Sequence, residues 1–108
     1  MGKKRIPQDV REEVDELVAR FNLKVIKDPD YFYVTRYRGT YLYLDRNSAG
    51  RPSPVCRLEY TGTMNSWRFA IYKYSDEMYD PGEMFFYGAE HVDGSVIGAL
   101  QAGLEAYP

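Results

Sequence analysis

Between Tyr31 and Tyr74 the side chains alternate with period two through four successive runs, and this constrains the fold more than any other feature of the chain. In Tyr31–Arg38, Phe32 and Val34 share one side while Tyr31, Tyr33, Thr35 and Tyr37 share the other. Arg38-Gly39-Thr40 then marks a tight hairpin, after which Tyr41–Arg46 sets Leu42 and Leu44 against Tyr41 and Tyr43. Val55–Tyr60 places Cys56, Leu58 and Tyr60 opposite Val55, Arg57 and Glu59. Trp67–Tyr74 places Trp67, Phe69 and Ile71 opposite Arg68, Ala70, Tyr72 and Tyr74. The tight hairpin at Arg38-Gly39-Thr40 makes its two strands antiparallel neighbours. The four runs together predict one apolar face of Phe32, Val34, Leu42, Leu44, Cys56, Leu58, Trp67, Phe69 and Ile71. The other face is then tyrosine-rich, because a slip of one residue would exchange the two.

Helical periodicity flanks the alternating region. Pro7 suits the opening of a helix, where its missing N–H has no partner to lose. Val10, Val14, Leu17, Val18 and Phe21 then form one stripe, which predicts a helix over Gln8–Phe21. Asp9, Glu12 and Glu13 sit where the helix dipole favours negative charge. Leu23–Ile26 reads as a short strand or extended arm, and Asp28-Pro29-Asp30 as a turn. Asn47–Pro54 reads as a long mobile loop, and Met84–Tyr87 as either a fifth strand or a packed turn. Near the C-terminus Asp93 is a suitable cap for a second helix, whose inward positions are Val96, Ala99, Leu100, Gly103 and Leu104. The expected fold is α+β: an N-terminal helix, a four- to five-stranded antiparallel β-meander and a C-terminal helix, both helices on one sheet face. At 108 residues this is the size of one domain, with 1–6 as a flexible N-terminal arm.

Charge is distributed unevenly along the chain. Residues Tyr31–Tyr74 hold seven basic side chains against two acidic, an excess of five, whereas Ser75–Pro108 hold seven acidic and no basic ones. A single cysteine, Cys56, rules out an internal disulfide and reads as a buried thiol in a strand. The chain has no apolar run long enough for a membrane helix, and Met1–Arg5 lacks the apolar segment of a secretory signal. The expectation is no membrane association and a cytoplasmic location.

The tyrosine face invites two interpretations. Cross-strand tyrosines stabilise a solvated sheet face, each pair by roughly 0.2–1 kcal/mol, so the rings serve as scaffold. Alternatively the patch is large enough to recognise a partner. Tyr and Arg suit a protein interface, including one between two copies of the chain. They also suit single-stranded nucleic acid, whose bases stack on aromatic rings. The candidate binding residues are Tyr31, Tyr33, Tyr41, Tyr43, Arg57, Arg68, Tyr72 and Tyr74. The preferred expectation is a non-enzymatic interaction module that self-associates or binds a protein through them, with nucleic acid as the alternative.

Catalytic, cofactor and metal motifs are lacking. There is no GxGxxG and no GxxxxGK[ST], so no phosphate-binding loop is expected. His91 is the only histidine, and with Glu90 and Asp93 it falls short of a zinc ligand set. Asp76, Glu77, Asp80 and Glu83 crowd one loop without the spacing of a calcium loop. A third expectation is a small enzyme combining His91 with carboxylates of that acidic loop.

The stretch RPSPVCRLEYTGTMNSWRFAIYKYS, Arg51–Ser75, has an Arg-Pro loop, a Pro-Val-x-Arg strand and a Trp-centred strand. With the N-terminal helix, it resembles the central meander of small bacterial and archaeal proteins known only as domains of unknown function. The resemblance spans roughly a quarter of the chain and does not extend to GSVIGALQAGLEAYP. It implies the helix-plus-meander fold and implies no active site.

Overall fold

The computed structural model of the chain describes residues 5–108. Helix α1 is Gln8–Phe21, and the expected stripe turns inward, with Val10, Val14, Val18 and Phe21 buried. Ile6, just before it, is fully buried and its amide donates to the Gly39 carbonyl at 3.1 Å. The expected arm therefore does not include Ile6, which belongs to the core; residues 1–4 lie outside the described part. At its far end α1 widens into one π-helical turn, Asn22–Ile26, closed by Lys27 at a left-handed φ of 60°. This replaces the short strand or extended arm expected there. The Lys27 amide closes the turn on the Asn22 carbonyl at 2.9 Å. The Asn22 side chain is thereby placed against the first strand, where it accepts from the Tyr33 amide (2.8 Å) and donates to the Tyr33 carbonyl (2.9 Å).

Five antiparallel strands follow in sequence order: β1 Tyr31–Arg38, β2 Tyr41–Ser48, β3 Arg51–Glu59, β4 Arg68–Lys73 and β5 Met78–Asp80. The meander is as expected, but two details differ. The segment expected as a long loop is mostly strand, because Ala49-Gly50 closes β2 onto β3 with both residues at positive φ (50° and 86°). That pair of signs belongs to the two-residue turn whose twist matches the strands it joins. The fifth strand is Met78–Asp80, inside the segment read as an acidic loop. Met84–Tyr87 is not a strand, and of its four residues only Phe86 packs, stacked on Phe69 at 5.8 Å between centroids, while Met84, Phe85 and Tyr87 are exposed.

Helix α2, Val96–Ala106, is capped by Ser95, whose hydroxyl accepts from the Gly98 amide at 2.9 Å. Asp93 was expected as the cap, but it accepts from the Ser95 amide instead and so orients the capping residue. Val96, Ala99, Leu100 and Gly103 face inward as expected, while Leu104 is only partly buried. Gly103 marks the closest approach of α2 to the sheet: a Cβ there would lie 2.6 Å from both the Tyr33 hydroxyl and Val55 Cγ1.

The register corrects the expected faces of β1. Arg38 opposite Tyr41 brings Tyr37 opposite Leu42, Thr35 opposite Leu44 and Tyr33 opposite Arg46. Tyr33 and its neighbours at every second position therefore lie beneath the helices, and Phe32 and Val34 take the opposite side. Polarity alone misassigns this strand because the helices supply acceptors for the phenols. The Tyr33 hydroxyl donates to the Leu100 carbonyl at 2.8 Å, and that of Tyr37 donates to Asp15 at 2.6 Å. In β3 a bulge opposite Leu44/Asp45 allows two successive residues, Val55 and Cys56, to be buried together.

Candidate functional site

The face of the sheet away from the helices carries a continuous layer of tyrosine and arginine. Tyr43 lies between Arg36 of β1 and Arg57 of β3 in the cross-strand ladder, and Tyr72 of β4 lies opposite Tyr79 of β5. The Arg36 guanidinium sits 4.4 Å from the Tyr43 ring centroid. Arg57 sits 4.4 Å from Tyr41 and 5.3 Å from Tyr79. Tyr79 meets Tyr43 edge-on at 5.4 Å and Tyr72 at 4.9 Å, which links β2 to β4 and β5 across the face. The rings are half-buried against one another and retain an outward edge.

Of the eight candidate residues, Tyr41, Tyr43, Arg57, Arg68 and Tyr72 lie in this layer or along its rim. Tyr74 stands at the corner, edge-on to Tyr72 at 4.9 Å and to Tyr107 at 5.3 Å, and its hydroxyl donates to the Pro54 carbonyl. Tyr33 and Tyr31 do not belong to the face. Tyr33 is 2% exposed under α2, and the Tyr31 hydroxyl bonds Arg46 and the Tyr107 carbonyl on the helix side. The cause is the β1 register described above. Two members escaped the sequence pattern. Arg36 was hidden by the same parity error, and Tyr79 by its position in a segment rich in turn-forming and acidic residues.

Charges on this side are largely internally compensated. Arg36 pairs with Asp45 at 3.1 Å, and this hydrogen bond holds its guanidinium above the ordinary value. Arg68 lies 3.9 Å from Glu59. Burial pushes the Tyr79 phenol up, while nearby Arg36 opposes that shift. On the helix side of the same edge, Lys73 is surrounded by Glu83 (3.1 Å), Asp76 (3.6 Å) and Asp80 (3.7 Å), so the acidic segment neutralises the last basic residue of the meander. Among the described residues Arg57 has no carboxylate partner, and its charge rests on the two tyrosine rings. Beside it an open concavity of about 700 Å³ runs along Arg38, Tyr41, Glu59 and Arg68.

The enzymatic constituents are not assembled as expected. His91 contacts Glu105 of α2 and lies 3.8 Å from Glu90, whereas three of the acidic-loop carboxylates gather around Lys73. Glu90, His91 and Glu105 offer one nitrogen and two carboxylate donors close together at the surface. Cys56 is fully buried, and burial pushes its thiol well above the ordinary range, so it is not poised as a nucleophile.

No helix among the described residues is long and apolar enough to cross a membrane. Comparison with protein-family models, curated proteins and solved structures found no match.

Proposed function

We propose that this chain is a non-enzymatic interaction module that docks a protein surface, in the first instance a second copy of itself, through the open sheet face. The supporting observation is the stacked layer of Arg36, Arg57, Tyr41, Tyr43, Tyr72 and Tyr79. Its rings are held in place by one another before any partner arrives, so little side-chain freedom remains to be lost on binding. Tyr and Arg are also the residue types that concentrate binding energy at interface centres. The rim carries both signs of charge, with Arg38 and Arg68 near Glu59, and an isologous interface needs this kind of self-complementarity.

The same geometry weighs against single-stranded nucleic acid, the second reading. Guanidinium groups already lie against the tyrosine rings that bases would stack on, and Arg36, Arg68 and Lys73 each have an acidic neighbour. What still favours it is Arg57, a cation without a carboxylate partner in the middle of an aromatic surface.

Light scattering of the full chain over a wide concentration range tests the first reading. A mass rising toward a dimer in the wild type, and lost in Arg57→Glu, is expected. A monomeric mass throughout rejects the dimer. Titration of a labelled oligo(U) strand at low and high salt tests the second: binding that weakens steeply with salt would put nucleic acid first.

A further inference from the structure

The short 3-10 turn Ala89–His91 lies directly against α2, and two glycines make that approach possible. Gly88, at φ 97°, opens the turn where a Cβ would lie 2.6 Å from the Ala102 carbonyl oxygen and 2.9 Å from Glu105 Cβ. Gly98 faces the other end of the turn, where a Cβ would run into the His91 carbonyl oxygen. Close contact at both ends therefore fixes His91 beside the last turn of α2. There its Nε2 meets the Glu105 carboxylate, and Glu90 Oε1 lies 3.8 Å from the same nitrogen. One donor atom from each of the three residues falls within 4.8 Å of the others. Asp93, the carboxylate that sequence order places near His91, is engaged by the Ser95 amide and hydroxyl instead. The far end of α2 supplies the second carboxylate in its place.

Among the described residues neither Glu90 nor Glu105 has a lysine or arginine partner, and Ser75–Pro108 contains no basic residue. Two carboxylates converging on one imidazole thus form a negative centre whose charge a divalent cation would balance. The donor set selects the ion. Calcium and magnesium seek oxygen ligands alone, whereas an imidazole nitrogen with carboxylate oxygens suits zinc. Zinc holds such donors at about 2.0–2.2 Å, so tetrahedral ligand atoms lie roughly 3.3 Å apart. His91 and Glu105 already meet, and the Glu90 side chain, 70% exposed, needs only a small rotation to join them. We infer that Glu90, His91 and Glu105 bind one zinc ion, which clasps the turn to the end of α2 and leaves a fourth position to solvent. The site lies on the helix side of the sheet and uses no residue of the docking layer.

Calorimetric titration of zinc chloride into the full chain, first stripped with a chelator and dialysed, is the test. Saturable binding of one zinc per chain is expected, with a Tm that rises with zinc concentration as mass action requires. His91→Ala and Glu105→Gln should each weaken binding by about tenfold or more, since loss of residues that merely support ligands costs that much. Both side chains are partly exposed, so Tm without zinc should stay near that of the wild type. Glu77→Gln, in the acidic segment outside the site, should bind zinc as the wild type does. Binding that needs millimolar zinc, persists unchanged in His91→Ala and Glu105→Gln, or titrates at one zinc per two chains would overturn the site. Equal affinity for magnesium or calcium would overturn the choice of metal.

Discussion

Tyr33 rests its ring against Phe21, donates its hydroxyl to the Leu100 carbonyl, and has both backbone groups held by Asn22, so one β1 residue ties together both helices and the sheet. Tyr33→Phe keeps the ring and removes the buried donor. It should cost about 1–2 kcal/mol in urea unfolding, within the range for a buried hydrogen bond. Gly103→Ala should cost about 1–3 kcal/mol, since its methyl group meets Tyr33 and Val55 at 2.6 Å in a packed core. Neither effect was legible in the composition of the strand. A tyrosine looks like a surface residue until a helix carbonyl is available to its hydroxyl, and that acceptor belongs to a segment 67 residues away in sequence. The hairpin did contain the necessary signal. With strands ending at Arg38 and starting at Tyr41, Tyr37 must pair with Leu42 and share its face.

The secondary elements are legible in the sequence where local chemistry decides them. The α1 stripe and the α2 inward positions emerged from spacing alone, because a helix buries residues every three to four positions whatever it packs on. Turn geometry was harder to see. Ala49 occupies a position at φ 50° that a Cβ disfavours, so nothing in NSAGRPSP announced a two-residue turn as Asn-Gly would have. Ala49→Asn should therefore stabilise the β2–β3 hairpin by about 0.5–1 kcal/mol, measured by chemical unfolding. At the other edge Asn22 completes the outward hydrogen bonds of β1 with its side-chain amide. Asn22→Ala would leave those groups open to pairing with another strand and should raise aggregation on warming, read by light scattering. The α2 cap depends on pH. Hydrogen bonds from Ser95 hold the Asp93 carboxyl below its ordinary value, so its contribution is complete above that value and fades as pH falls through it. Asp93→Asn should flatten the decline of Tm on acidification below about pH 4.

For the whole molecule, the segmental charge imbalance turns out to be partly a matter of pairing. The acidic C-terminal third folds back along the β4–β5 edge onto Lys73, and Arg36 and Arg68 find Asp45 and Glu59 on their own face. Sequence order showed the excess of basic residues but not which of them keep their field, because pairing depends on cross-strand register. Arg57 is the cation left on aromatic rings, and the layer around it is more compact than the seven-tyrosine surface expected. It loses Tyr31, Tyr33 and Tyr37 to the helix side and gains Tyr79 and Arg36. The central claim is that this layer is the surface that meets another protein chain. Two-dimensional NMR of the labelled full chain during dilution from millimolar to micromolar concentration tests it most directly. Shifts confined to Tyr41, Tyr43, Arg57, Tyr72 and Tyr79, with Tyr31, Tyr33 and Tyr37 unmoved, are the predicted result. Spectra that do not change with concentration, or shifts that gather around Phe85 and Tyr87 on the far loop, would contradict it.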